Sequence, residues 1–373
     1  MDWNALPFDP DSMLAHLSQW VACESPTFDA AAVNRMMDMA ARDLAIGGAR
    51  IERIAGRMGF GDCVRARFPH ATPDQPGILV MGHLDTVHPV GTFPFRRDGA
   101  RAYGPGIFDM KGGNFIALEA IRQLARAGVA TRLPVTVLLT SDEEVGSPST
   151  RDLIEAEAAR HRYVLVPEPA RADGGVVTGR YAIARFNLEA TGRPSHAGLL
   201  LFEGRSAIKE MARKIIEIED MTSEDCTFSV GVVRGGQWVN CVATTCAAEA
   251  LSMAKRQEDL DRGVERMLAL KPSSNDVRFR VARGVTRPVW EPDGKTLALY
   301  EQARSIARSL GFDIPAQSAG GGSDANFTGA VGVATLDGLG VEGAGPHTPE
   351  EHILVDSLAR RGKLFAGLLA TLD

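Results

Sequence analysis

Gly77-Ile78-Leu79-Val80-Met81-Gly82-His83-Leu84-Asp85-Thr86 runs a short, β-branched apolar segment straight into a histidine and an aspartate. The segment reads as a buried strand that ends at His83. Further along, Pro134 to Leu139 reads as a second buried strand and stops just before Glu143 and Glu144. Tyr163-Val164-Leu165-Val166 reads as a third, ending at Glu168. Val331 to Leu336 reads as a fourth, followed by His347 in a Gly/Pro-rich loop. Helical periodicity falls between and before these runs: about 11–22, 30–46, Phe115 to Ala127 (stopping at Gly128), and Ser149–Ala159, which opens on a Ser/Thr cap. Alternating strands and helices predict an α/β fold, a mostly parallel sheet flanked by helices. In such sheets polar groups at the carboxyl ends of strands converge on one edge.

The stretch from Tyr181 to Val289 has a different rhythm. It opens on an alternating strand, Ala182 to Leu188, followed by a helix around Ser206–Ile218. Strand-like segments near Thr227–Val233 and Cys246–Ser252, a helix near Glu258–Leu270 and a strand near Val277–Ala282 complete it. This predicts a small α+β domain at 181–289, inserted into a larger domain made of 1–180 and 290–373. The chain of 373 residues is long enough for that division.

Composition narrows the function classes. A net charge of −6, with no basic run, argues against a nucleic-acid binder. Arg96-Arg97 reads as solvated surface. No apolar stretch reaches the ~20 residues needed to span a bilayer. Met1-Asp2-Trp3-Asn4-Ala5 lacks the basic and apolar regions of a secretory signal. Five cysteines without C-x-x-C spacing read as reduced thiols in a cytoplasmic protein.

The strand ends carry the chemistry. Residues i and i+2 of an extended segment share a face, so His83 and Asp85 address one site. A ligating histidine usually gives its second N–H to a carboxylate or carbonyl, which Asp85 can supply. Of the adjacent carboxylates Glu143 and Glu144, one can ligate while the other accepts a proton from water. Asp109 sits in a loop entering a helix at Lys111-Gly112-Gly113, where glycine permits close backbone approach. Glu168 is held between Pro167 and Pro169, and His347 lies in Gly-Pro-His-Thr-Pro, both rigid settings. The negative charges of Asp109, Glu144 and Glu168 favour two dications over one. Imidazole and carboxylate donors suit Zn²⁺, with Co²⁺ or Mn²⁺ compatible by ligand type. His70, His88, His161 and His352 lack such partners and receive no role.

With these segments in hand, the chain resembles the zinc aminoacylase/carboxypeptidase family M20, and within it the bacterial glutamate carboxypeptidase group. The matching segments are 82–86, 103–113, 140–147 (TSDEEVGS), Glu168-Pro169, Gly192 to Gly198, and 320–325 (GGGSDA). The resemblance implies that His83 and Glu168 bind one zinc, Glu144 and His347 the other, and Asp109 bridges them. It implies Glu143 as general base, Asp85 as the residue orienting His83, and the inserted domain as a lid and dimer interface. His196, in dimeric relatives, would reach the partner subunit's site to stabilise the oxyanion. Asn240, Gly321 and Gly322 would contact substrate. Relatives carry an Arg thirteen residues after the Asn; here that position is Met253, which cannot pair with a carboxylate. Arg256 is the nearby substitute.

The expected function is amide hydrolysis of an N-acyl amino acid or small peptide by a dinuclear-zinc homodimer. The alternative is an amidase for substrates without a free α-carboxylate.

Overall fold

The computed structural model describes residues 2–373. The chain divides into two compact units: one runs up to Gly179 and continues through Glu291–Ala319 and Ser323–Asp373, the other comprises Arg180–Trp290 and Gly320–Gly322.

The first unit is built on a six-stranded sheet. Its strand order is Arg50–Ile54, Cys63–Arg67, Val135–Thr140, Ile78–His83, Tyr163–Leu165, Ala334–Leu336. The last four run parallel; the first two are antiparallel additions at one edge. Ile78–His83 and Val135–Thr140 are buried along their whole length, which is why they read as unbroken apolar runs. Register aligns His83 with Thr140, so the Glu143-Glu144 turn emerges beside His83. Helices Pro10–Ala22, Ala30–Ile46, Gly112–Arg126, Gly294–Ser309 and Ser357–Thr371 supply the covering layers. Asp9, Asp29 and Asp293 cap three of them by accepting backbone N–H groups. A small four-stranded sheet joins Arg101–Tyr103 to His352–Leu354. That pairing brings the loop holding His347 beside the loop holding Asp109.

The second unit is an antiparallel sheet in the order Cys226–Gly235, Thr245–Ala254, Ala182–Thr191, Arg278–Arg287. Helices Ala207–Glu219 and Gln257–Leu268 contribute Met211, Leu260 and Met267 to one face, against Ala184, Phe186 and Leu188. Entry and exit of the chain are tied together by paired backbone bonds between Arg180 and Trp290, 2.8 and 2.9 Å.

Two local expectations need correction. The strand read at Val331–Leu336 begins only at Ala334, because 331–333 leave a short helix, Ala325–Ala330, through a turn with Gly332 at φ +82°. The helix after Ser149 begins at Arg151, and Thr150 does not cap it. Its hydroxyl instead bonds to Asp142, in the turn that carries Glu143. Among the described residues, no helix is long and apolar enough to cross a membrane.

Candidate metal centre

His83 is fully enclosed at the end of its strand. Its Nδ1 lies 3.0 Å from the Asp85 carbonyl oxygen and 3.4 Å from Asp85 Oδ1. The proton therefore belongs on Nδ1, and the Nε2 lone pair is free to ligate. Nε2 makes no hydrogen bond of its own, yet it stands 3.3 Å from Asp109 Oδ1, 3.8 Å from Glu168 Oε1 and 4.0 Å from Glu143 Oε2. The other oxygen of Asp109, Oδ2, lies 3.4 Å from His347 Nε2, which in turn lies 3.1 Å from Glu144 Oε2. Asp109 thus presents one oxygen to each histidine. The ligand atoms of His83, Glu143 and Glu168, and those of His83, Asp109 and Glu144, fall within 4.8 Å of one another.

Two donors on one tetrahedral zinc stand about 3.3 Å apart, given bond lengths of ~2.0–2.1 Å. The Asp109–histidine and Glu144–His347 separations match that spacing. Electrostatics agrees. Burial, and then the Asp109 charge, push the Glu144 carboxyl up to about 8. The same two causes raise Glu168 well above the usual carboxylate range. Burial opposes the charged form of His83, but Asp109, Asp85, Glu168 and Glu143 outweigh it and hold its pKa high. Asp109 and Glu144 raise His347 to about 10. Without a cation these carboxylates repel one another in a confined space, and only the imidazolium protons compensate. Divalent cations remove that conflict, so the residues fit a metal pair.

The supports are specific. Asp85 accepts from Thr27 Oγ1 (2.8 Å), from Glu143 N (3.2 Å) and from Glu144 N (3.3 Å). One carboxylate therefore fixes the histidine and the backbone of both glutamates. Asn114 Nδ2 donates to the His83 carbonyl (2.6 Å). Glu168 is steadied by Gly340 N donating to its carbonyl, and Gly340 is in turn held by the buried Arg361 guanidinium, at 2.8 Å each. His347 has φ +64°, a left-handed conformation rare outside glycine and found where a side chain must be aimed.

Two contributors escape sequence reasoning. Thr27 looks like any loop threonine, and Glu351 like one of two exposed acids. Glu351 is buried, and its carboxylate accepts from Gly106 N (3.1 Å), Phe108 N (2.9 Å), Asp109 N (3.0 Å) and His88 Nε2 (2.7 Å). His88, given no role above, is thus half of a buried pair beneath the Asp109 loop. The only signal in the sequence is its place three residues after Asp85.

The remaining candidates lie in the second unit. His196 and Asn240 fall on facing segments: His196 pairs with Cys241, and Ala197 N donates to the Asn240 carbonyl (2.9 Å). His196 Nδ1 accepts from Gly198 N (3.1 Å) and Leu199 N (3.2 Å), which puts its proton on Nε2. Arg256 stands at the head of helix Gln257–Leu268, with Nε 3.1 Å from Asp259 Oδ2. Met253 lies on the Thr245–Ala254 strand, opposite Ile183. Gly321 has φ +86°, and a Cβ on Gly322 would meet the Arg287 side chain at 2.8 Å.

The sequence model of Peptidase family M20/M25/M40 matches residues 79–371. Carboxypeptidase G2 of Pseudomonas sp. (strain RS-16) is 32% identical over 308 residues, 79% of this chain and 74% of that protein. Succinyl-diaminopimelate desuccinylase of a Nitratiruptor species is 24% identical over 293 residues, 74% of this chain and 78% of that protein. Among solved structures, the M20 family metallo-carboxypeptidase Sso-CP2 from Sulfolobus solfataricus superposes with a TM-score of 0.77 at 14% identity, covering 96% of this chain and 99% of that one. That likeness bears on the fold alone, and it agrees with the parallel sheet described above. Fold, family match and the convergence of His83, Asp109, Glu144, Glu168 and His347 lead to one conclusion: the chain belongs to the M20 peptidase family and is a metal-dependent hydrolytic enzyme.

Proposed function

We propose that this enzyme cleaves the amide bond of an N-acyl amino acid or small peptide at a dinuclear zinc centre. The observation that carries the reading is Asp109, whose two oxygens face His83 and His347 separately, 3.3 and 3.4 Å away. His83 and Glu168 would hold one ion, Glu144 and His347 the other, with Asp109 between them. Bound divalent ions polarise the scissile carbonyl and acidify a water molecule. Glu143 takes the proton from the attacking water and returns it to the departing nitrogen. Asp85 holds the Glu143 backbone and the His83 ring together, so base and ligand keep a common register. His196, with its proton on Nε2, is the candidate donor to the oxyanion, a contribution of about 2.7–4 kcal/mol where such donors have been removed. Asn240, Gly321 and Gly322 are the candidate substrate contacts.

Exposed Leu199, Phe202, Ile216, Trp238 and Val239 on the inserted unit support a homodimer through that unit. All five cysteines are free, which suits a cytoplasmic location.

Replacing Glu143 by Ala tests the core of the proposal. Turnover should fall by about 10²–10⁴ while bound metal, measured by elemental analysis, is unchanged. Near-normal turnover sinks the assignment.

A second reading, an amidase for substrates without an α-carboxylate, is favoured by one observation. Met253 offers no charge, and Arg256 pairs with Asp259. Matched acyl-glutamate and acyl-amine substrates separate the two: preference for the uncharged leaving group overturns the carboxypeptidase form.

A further inference from the structure

A cavity of about 490 Å³ lies at the amino ends of the parallel strands. Tyr163 and Ala334 line it, and they are paired in register at the start of two neighbouring strands. Glu168 follows the other end of the Tyr163 strand, so the cavity and the metal centre occupy opposite edges of the sheet. Every residue that lines it belongs to the first unit.

The lining carries charge of one sign. Arg162 and His161 enter from the turn before Tyr163, and Lys295 faces them from helix Gly294–Ser309. Among the described residues, no Asp or Glu lines the cavity. Arg304, on the same helix as Lys295, holds Asp313 at 2.9 Å. Lys295 reaches only the Gly332 carbonyl, at 3.3 Å, and the Arg162 guanidinium lies over the Tyr163 ring, 5.5 Å from its centroid. Among the described residues, neither cation pairs with a carboxylate. The acids nearest along the chain are engaged elsewhere. Asp293 caps its helix at Thr296 N (2.8 Å), Asp373 pairs with Arg132 (2.9 Å), and Glu157 is shared by Arg65 (3.0 Å) and His161 (3.3 Å). The His161 side chain is 8% exposed, and its buried Nδ1 has no hydrogen-bond partner. When that ring is charged both nitrogens donate, so Nδ1 then requires an acceptor.

Two unpaired cations and an unpartnered imidazole around one cavity call for an anion. A guanidinium fork, an ammonium point charge and a third donor from another direction suit a tetrahedral dianion better than a flat, singly charged carboxylate. The volume exceeds what a bare oxyanion fills and falls in the range of roughly 300–1,000 Å³ of small-molecule sites. Leu299, Val333 and the Tyr163 ring offer apolar wall for the rest of such a ligand. We infer that this cavity binds a small organic phosphate, a ligand distinct from the substrate hydrolysed at the metal centre.

The test titrates the metal-loaded enzyme with phenylphosphonate, at a mildly alkaline pH that gives the probe two charges. Backbone amides are followed by ¹H–¹⁵N TROSY NMR. In wild type the amides of 162–163 and 332–334 should shift. Lys295→Gln should weaken binding read from those amides by about tenfold or more, the scale of one charge-assisted hydrogen bond. Arg162→Gln should do the same, and both variants should keep a dispersed, wild-type-like spectrum, which shows that they fold. Benzoate, the same ring with a single charge, should bind about tenfold more weakly. Shifts confined to the surroundings of the metal ligands would overturn the inference. So would equal affinity in wild type and Lys295→Gln, or equal affinity for phenylphosphonate and benzoate.

Discussion

Glu351 concentrates four donors on one buried carboxylate, and three of them are backbone amides of the loop that presents Asp109. A carboxylate accepts without donating, so it alone satisfies that cluster of N–H groups. In Glu351→Gln an amide NH₂ faces at least one of those donors. The loss should cost about 1–3 kcal/mol of stability. It should also weaken divalent-metal binding by about 10–100-fold, the usual effect of disturbing the groups behind a ligand. Zinc titration by calorimetry, with thermal unfolding alongside, reads both quantities; unchanged zinc affinity would show that Asp109 keeps its aim without Glu351. The five candidate ligands stand out in the sequence because each follows a strand end or sits between rigid residues. Glu351 does not, because its role exists only where chain segments 242 residues apart converge. Thr27 is hidden for the same reason: its partner Asp85 is 58 residues away.

At the scale of elements, the start of helix Gly112–Arg126 decides how closely the Glu168 segment can approach. A Cβ on Gly113 would lie 1.8 Å from the Pro167 carbonyl oxygen, against backbone rather than a yielding side chain. Gly→Ala inside a helix otherwise gains roughly 1 kcal/mol. Gly113→Ala should instead lose about 1–3 kcal/mol through overpacking and should displace Glu168 from His83. Gly294→Ala is the matched control, since nothing lies within 4 Å of its Cβ position. Thermal melts should move in opposite directions for the two variants; a shift upward in both would mean the helix and the Glu168 segment part without cost. The buried parallel strands were readable because both faces are covered and the apolar run is unbroken. The antiparallel pair Arg50–Ile54 and Cys63–Arg67 was not, because arginines and a glutamate alternate through it and mask the strand. Helix Ser357–Thr371 was also missed: it is buried almost all round, and Arg361 sits within it on the carbonyls of Gly174, Gly338 and Gly340. A charged residue there suggests a solvent face, whereas the fold uses it as an internal clasp.

For the whole molecule, the division into two units makes a thermodynamic claim. One hydrophobic core gathers Leu17, Trp20, Phe115, Leu165, Leu336 and Phe365; a separate one gathers Phe186, Met211, Leu260 and Phe279. Every candidate metal ligand belongs to the first unit. A ligand stabilises only the unit whose folded state binds it, by about 2.7 kcal/mol at a free concentration 100 times Kd. Scanning calorimetry of the chelated protein should therefore show two transitions. Adding Zn²⁺ should raise one of them and leave the other in place. A truncation carrying only 180–290 should reproduce the unmoved transition, because that segment contains its own core and its entry and exit strands are already joined at Arg180 and Trp290. If zinc instead raised a single transition for the entire chain, the two cores would unfold as one cooperative body, and metal loss at the centre would weaken the second unit as much as the first.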